Sequence, residues 1–214
     1  MHMEWKVLLG FGVIFVVVIL VIIQRGSREN GRTDTLAKIA EEFQMSFTSV
    51  FVDKLAKYLQ NDVELELFSI GKRREVRNLF TQEKEGVTLH LFDYSYVTGH
   101  GKNVSVHKQT VFLAITDDLA LPNFSMHPVS GLDFLMGTFK TKDIFFASYP
   151  NFAKNFSLRG PNEQAIRQFF TPYVLDRFEN SPSWSTQGNG QHLIIYFAGK
   201  RCMKKSSNYF LKTA

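Results

Sequence analysis

The chain has 214 residues, 44% of them hydrophobic and 21% charged, with 21 phenylalanines, a composition that supports a folded core and excludes a largely disordered protein. Its single cysteine, Cys202, excludes an intramolecular disulfide and any metal centre built from several cysteines of this chain. The formal net charge is +5, but five basic and no acidic residues follow Glu179, so the excess lies in the tail, unlike the spread basic face of a nucleic-acid binder.

Residues 7–23 form an uninterrupted apolar stretch, VLLGFGVIFVVVILVII. As a helix rising about 1.5 Å per residue it spans roughly 25 Å, close to the hydrocarbon core of a bilayer. A cleaved signal peptide and a buried core helix are the alternatives, but no small-residue cleavage site follows the stretch. We predict an anchor at residues 1–26, a linker at 27–34 and one soluble domain at 35–214.

Charges beside the predicted anchor indicate its orientation. Arg25, Arg28 and Arg32 follow the apolar stretch, whereas Lys6 and the amino terminus precede it. Basic residues near a membrane span are retained on the cytosolic side. We therefore predict a single-pass membrane protein that contacts the lipid bilayer through residues 7–23 and carries its domain in the cytoplasm.

Two helices are predicted at the start of the domain. Four apolar residues recur at helical spacing: Leu36, Ile39, Ala40 and Phe43. Asp34 or Thr35 precedes them as a capping residue, which predicts an amphipathic helix from that point. A second helix is predicted over residues 52–59.

Alternating apolar residues then predict an antiparallel meander. In residues 63–67 apolar side chains alternate with glutamates, the pattern of a strand with one buried face. The predicted strands run over residues 63–67, 76–81, 87–91 and 111–115. Gly86 and residues 99–103 mark turns, and Pro122 and Pro128 predict an irregular section.

The final third predicts two strands, two helices, a hairpin and a last helix. The strands are placed at residues 144–147 and 156–158, one helix has Pro161 in its first turn, and a second starts at Thr171-Pro172. Asn189-Gly190 predicts the hairpin between residues 184–186 and 192–197. The fold class predicted for the whole chain is α+β, an N-terminal transmembrane helix followed by a single soluble domain with an antiparallel sheet and several helices.

The histidines of the meander and one aspartate suggest a possible enzyme. The histidines in this region are His90, His100, His107 and His127. His90 and His107 can approach each other across a hairpin, and with Asp93 they would offer a hydrolytic or metal-dependent enzyme its acid–base groups. The simpler interpretation is surface histidines with a buried, hydrogen-bonded Asp93. Asp117-Asp118 is interpreted as a turn.

The sequence lacks other catalytic motifs. The glycine-rich segment 99–103 resembles a phosphate loop but lacks its spacing, so it is interpreted as a hairpin tip. The sequence has no Gly-x-Ser-x-Gly elbow, and Cys202 lies among lysines and an arginine, which favour its oxidation rather than catalysis. We predict no catalytic, cofactor-binding or metal-ligating residues and no cofactor.

Basic clusters suggest a second function. They are Lys72-Arg73-Arg74 with Arg77, the C-terminal group at residues 200–205, and the arginines after the anchor. Together they would hold the domain against an anionic leaflet if the fold placed them on one face. The alternative is scattered, solvated charge.

The segment FSLRGPNEQAIRQFFTP, residues 156–172, resembles the C-terminal part of uncharacterised bacterial single-pass membrane proteins. The stretches LFDYSYVTGHGKN and HKQTVFLAI are similar to the same proteins. The resemblance implies a bacterial inner-membrane protein with a cytosolic α+β domain, and it implies no catalytic residues. The leading hypothesis is a non-catalytic interaction or accessory module with a protein partner. The alternatives are an anionic-lipid-binding domain and the enzyme described above.

Overall fold

The structure is a computed structural model that describes residues 29–42, 45–129, 143–179 and 184–198. The helices are α1 (Glu29–Glu42), α2 (Asp53–Asn61), α3 (Glu66–Ser69), α4 (Pro150–Asn155), α5 (Glu163–Phe169) and α6 (Pro172–Glu179). The strands are β1 (Ser46–Thr48), β2 (Lys72–Lys84), β3 (Val87–Thr98), β4 (Ser105–Thr116), β5 (Leu121–Pro128), β6 (Phe156–Arg159), β7 (Ser185–Gly190) and β8 (His192–Tyr196). The predicted α+β class is confirmed.

All eight strands join one antiparallel sheet in the order β1-β2-β3-β4-β8-β7-β5-β6. The β2–β3–β4 part is the predicted meander, and β3 and β4 pair without a break from Val87 opposite Thr116 to Thr98 opposite Ser105. The predicted hairpin β7–β8 does not extend the edge of the sheet. It lies between β4 and β5, with His192 opposite Ile115.

The two faces of the meander carry separate cores, because successive side chains of a strand point to opposite faces. Phe92 and Tyr94 pack with Phe68 beneath α2 and α3. Leu89 and Leu91 pack with Ile39 of α1 on the other face.

A third core, rich in phenylalanine, covers the end of the sheet formed by β5 and β6. Helices α4, α5 and α6 supply Phe152, Ile166 and Leu175, and Phe170 lies between the last two helices. A surface depression lies between the first core and the third, where the residues before and within α3 face β5.

Several predicted elements differ in the structure. Residues 63–67 are not a strand: residues 63–65 are irregular and residues 66–67 begin α3, although Val63, Leu65 and Leu67 are buried as the alternation predicts. The amide of Leu65 donates to the carbonyl of Val63, so the backbone folds on itself instead of pairing with a neighbour.

The prolines predicted to mark an irregular section lie in β5 instead. Pro122 falls within the break in register between Leu121 and Phe124, and Pro128 is the last residue of the strand. Both are positions where a sheet tolerates the missing amide hydrogen. The apolar residues 144–147 are not a strand, and Ile144 contributes one backbone hydrogen bond, to Leu158.

Helix α1 begins at Glu29, so most of the predicted linker 27–34 is helical. None of the helices in the described ranges has the length and hydropathy needed to cross a membrane. The predicted anchor at residues 1–26 and the predicted last helix lie outside the described residues.

Candidate functional site

A cleft of about 500 Å³ lies between the two halves of the domain. One wall is formed by the end of α2, the turn after it and α3, residues 60–69. The facing wall is formed by β5 and by the chain that leaves β6 at Gly160 and Pro161. The cleft is therefore bounded by elements that are far apart in sequence and are brought together by the sheet order.

Three polar side chains from the two walls meet in the cleft. The Ser125 hydroxyl donates to Glu66 Oε2 at 2.8 Å, and its oxygen lies 2.6 Å from His127 Nε2. The imidazole nitrogen and the carboxylate oxygen are themselves 3.8 Å apart. The side chains of His127 and Glu66 are 8% and 12% exposed, so the group is largely shielded from water.

The geometry of this group differs from that of a serine nucleophile activated by histidine. A hydroxyl carries one proton, so when Ser125 donates it to Glu66, His127 Nε2 must donate the second hydrogen bond. An imidazole that donates to the hydroxyl cannot act as its base. In a catalytic triad the acid binds the other ring nitrogen of the histidine, whereas Glu66 lies on the Nε2 side.

A second polar network begins at the residue after Glu66. The amide of Leu67 donates to Gln187 Oε1 at 3.0 Å, and Gln187 Nε2 donates to the Tyr196 hydroxyl at 3.2 Å. Burial, reinforced by the Glu66 carboxylate, raises the pKa of Tyr196 far above its ordinary value. Tyr196 therefore stays neutral and joins α3 to the central strands.

At the rim of the cleft, Arg159 forms an ion pair with Asp143, which also accepts a hydrogen bond from Ser157 at 3.0 Å. The next residue, Gly160, lets the chain pass close to β5. A Cβ there would lie 2.3 Å from the carbonyl oxygen of Asn123. The rim therefore depends on a glycine at this position.

The residues of the enzyme hypothesis do not converge. His90 and Asp93 lie three positions apart on β3 and so face opposite sides of the sheet. His90 contacts Thr81 Oγ1 through Nδ1 at 2.9 Å. His107 stacks on Tyr96 with ring centroids 4.7 Å apart, some six residues or roughly 20 Å along β3 from His90.

Asp93 has the structural role predicted as the simpler interpretation. It is 4% exposed and accepts hydrogen bonds from Asn78 Nδ2 and Thr110 Oγ1, each at 2.9 Å. Asp117 and Asp118 occupy the turn between β4 and β5, as predicted. Within the described ranges, no three histidine, aspartate, glutamate or cysteine side chains are grouped so that they could hold a metal ion.

The glycine-rich segment is the predicted hairpin tip, between β3 and β4. His100 lies exposed on that turn, and His127 is the one predicted histidine that the cleft contains. Glu66, Ser125 and Arg159 were not singled out from the sequence. Ser125 and His127 share one face of β5, and a polar pair at that spacing between two prolines is the local signal that could have indicated the site.

The first basic cluster divides into two parts. Arg74 donates to the carbonyls of Ile70 and Gly71, and Arg77 forms an exposed ion pair with Glu75 at 3.3 Å. Lys72 and Arg73 are exposed at the start of β2. Cys202, Arg25, Arg28 and the C-terminal cluster lie outside the described residues.

No protein-family model and no curated protein matches the sequence. The fold is similar to the crystal structure of the mycobacterial trehalose monomycolate transport factor A, TtfA. The match has a TM-score of 0.56 and 9% sequence identity, and it covers 87% of this chain and 91% of that one. At this identity the likeness is one of fold alone.

Proposed function

We propose that this chain is a membrane-tethered accessory protein, which acts by binding at the cytosolic face of a bacterial inner membrane and not by catalysis. The proposal that the protein is not an enzyme rests on the hydrogen bonds that hold Ser125 between Glu66 and His127. Glu66, Ser125 and His127 hold one another in place, an arrangement suited to a preformed binding surface.

Two further observations support the proposal. Residues 7–23 have the length and composition of a membrane span, and the arginines after them favour a cytosolic domain. A protein of similar fold is named as a transport factor, a name that fits an accessory role. The resemblance to bacterial single-pass membrane proteins agrees with both.

The tether is tested by extracting membranes that contain the full-length chain with alkaline carbonate. The chain should stay in the pellet and be released by detergent. Val17→Arg places a charge near the centre of the predicted span, at a cost of about 2.5–3.5 kcal/mol for insertion, and should shift the chain to the soluble fraction. Val129→Arg, at an exposed position of the domain, is the control. Carbonate extraction of the unchanged chain would overturn the tether.

A serine hydrolase is the second candidate function, because a hydroxyl, an imidazole and a carboxylate meet in one cleft. A fluorophosphonate probe, which labels activated serines, distinguishes the two functions. The full-length chain should remain unlabelled under conditions that label a known serine hydrolase. Labelling that disappears in Ser125→Ala and persists in Ser69→Ala would overturn the non-catalytic proposal.

A further inference from the structure

The start of α1 lies toward one end of the sheet. Thr33 Oγ1 is 3.5 Å from Asn78 Oδ1, and after α1 the chain begins β1 at Ser46, opposite Thr81. Helix α1 therefore runs from the level of Asn78 toward that of Thr81, so its residues before Thr33 extend from Asn78 in the direction of Lys72. We call that end of the sheet, formed by Lys72, Arg73 and the turn at residues 99–104, the tether end.

The β3–β4 hairpin projects farther in this direction than the helix does. Asp93 is level with Asn78, and the five residues from Asp93 to Thr98 extend about 17 Å beyond that level. The four residues from Thr33 back to Glu29 extend about 6 Å. The hairpin tip therefore reaches roughly 10 Å past the start of α1.

The tip also lies within reach of the bilayer. The predicted span ends at residue 23, and six Cα–Cα steps from there to Glu29 cover at most about 22 Å in any conformation. The proposed anchor would hold the start of α1 within that distance of the membrane surface, and the hairpin tip extends beyond that start. The tether end is thus the part of the domain that the anchor keeps beside lipid.

Charge is separated along the sheet. At the tether end, Lys72, Arg73 and Lys102 are exposed, and the neighbouring Glu75 is paired with Arg77. The opposite end carries exposed acids in its two turns and at the end of β2, Glu83, Glu85, Asp117 and Asp118, and one exposed lysine, Lys84, which is 3.8 Å from Glu85. Residues 25–34, which lead into the tether end, contain three arginines and two acids. A negative surface would therefore attract this end of the domain and repel the other.

Exposed apolar side chains accompany the cations. Val104 and Val106 at the hairpin tip are 48% and 59% exposed. Val50 and Phe51 are exposed beside β2, where the next residue, Val52, donates its amide to Val76. Apolar side chains among lysines and arginines are the pattern of a surface that enters the interfacial layer of an anionic membrane.

We propose that the tether end docks on an anionic lipid leaflet, with Val104 and Val106 in the headgroup layer and Lys72, Arg73 and Lys102 facing lipid phosphates. The inference rests on the proposed function, because the anchor is what holds this end beside the bilayer. A lipid surface is favoured over a protein partner because the anchor keeps lipid within reach of the hairpin tip at all times.

The test uses the full-length chain in lipid nanodiscs, with Cys202→Ser as the background. An environment-sensitive dye is attached through Val104→Cys at the tip or, as the matched control, through Asp117→Cys in the opposite turn. The nanodiscs contain phosphatidylcholine alone or mixed with phosphatidylglycerol, each with a quencher-labelled lipid. Quenching should be strong at position 104 in anionic nanodiscs, weak there in neutral ones, and weak at position 117 in both.

Two lysines on one strand test the charge contribution. Lys72→Gln removes a cation at the tether end of β2 and should lower the ratio of docked to undocked protein about fivefold, which corresponds to about 1 kcal/mol at 1.4 kcal/mol per tenfold. Lys84→Gln, at the opposite end of the same strand, should leave the ratio unchanged. Raising the salt from about 0.1 M to about 1 M shortens the screening length from about 10 Å to about 3 Å and should release the docked end.

The outcomes separate the two proposals. A chain that fails to enter nanodiscs at all would overturn the tether and the docking together. A chain that enters them but shows equal quenching at positions 104 and 117 would overturn the docking alone. Quenching at position 104 that is equal in neutral and anionic lipid would contradict the electrostatic recognition. Protection of position 104 found in native membranes but not in nanodiscs would assign the tether end to a protein partner.

Discussion

The carboxylate of Asp93 accepts a hydrogen bond of 2.9 Å from the side-chain amide of Asn78, across the β2–β3 pair. Asn78 lies in the break in register between Arg77 and Phe80 and has a φ of 52°. Asparagine tolerates this left-handed conformation better than most residues. The bulge therefore supplies a donor to one oxygen of a buried carboxylate whose other oxygen accepts from Thr110 Oγ1.

The Thr110→Val substitution should destabilise the domain, because it removes the hydroxyl that donates to Asp93 at 2.9 Å. Hydrogen bonds to a charged group contribute about 1.5–3 kcal/mol, and we expect a loss in that range. The measurement is urea-induced unfolding of the purified full-length chain in detergent.

Thr171→Val is the control for this loss. Its Oγ1 is buried and has no hydrogen-bond partner within the part of the chain that the structure describes. Removing an unsatisfied hydroxyl should leave stability unchanged or raise it. A loss in Thr171→Val as large as that in Thr110→Val would contradict the role given to Asp93.

The two glycines of the hairpin tip should differ in their response to alanine. Both have positive φ, 83° at Gly99 and 58° at Gly101. A Cβ at Gly99 would lie 1.9 Å from the carbonyl oxygen of Asn103, whereas nothing lies within 4 Å of one at Gly101. Gly101→Ala should cost about 1–2 kcal/mol from backbone strain, and Gly99→Ala clearly more. Amide hydrogen exchange in residues 95–107 reports the difference, and equal protection in the two variants would argue against this tip geometry.

Stability should fall in mildly acidic solution partly because of His90. Burial lowers the pKa of His90 from its ordinary value of 6.5, and the Glu83 carboxylate only partly opposes the shift. As the pH falls through 6.5, the unfolded chain takes up a proton that the folded state does not, so folding becomes less favourable. His90→Gln should flatten the decline in thermal midpoint between about pH 7 and about pH 5.

His100→Gln, on the exposed turn, provides the comparison for this pH series and should keep the decline of the unchanged chain. Burial also lowers the pKa of His192, which contacts the Tyr58 hydroxyl at 2.7 Å. A second substitution there should add to the flattening. If His90→Gln kept the full slope, another group would have to account for it.

Phe170 is the aromatic side chain on which the third core depends. It is 1% exposed, and its ring makes an edge contact with Phe124 at 5.1 Å between centroids. Phe170→Ala should cost about 3–5 kcal/mol, the range for large-to-small changes in a core. Phe145→Ala, at a residue 60% exposed, should cost far less. Protease resistance of residues 143–179 measures both, and comparable losses would show that the core is placed elsewhere.

The sequence predicted well where the local pattern determines the structure. The β2–β3–β4 meander and its turns follow from alternation and glycine, because a strand with one covered face repeats every two residues. The start of α6 at Pro172 follows from the fixed φ of proline. Burial was predicted even where the element was wrong, since Val63, Leu65 and Leu67 are buried although no strand contains them.

The cleft could not be predicted in the same way. Glu66 and Ser125 are 59 residues apart and meet because β7 and β8 place β5 beside the first half of the sheet. Periodicity reports which face of an element is buried, but it carries no information on which strand becomes its neighbour. The alternation in residues 63–67 also concealed the short α3, which carries Glu66 into the cleft.

The place of the last hairpin has a consequence for synthesis. Because β8 separates β4 from β7, the strands β2–β4 and the pair β5–β6 remain two unconnected sheets until residue 196 has left the ribosome. At a synthesis rate of roughly 5–20 residues per second, the edge of β4 stays unpaired for several seconds before β8 is made. We infer that a nascent chain truncated before β7 would leave that edge open to chaperones or to strands of other chains, whereas one extended beyond β8 would close the domain in a single late step.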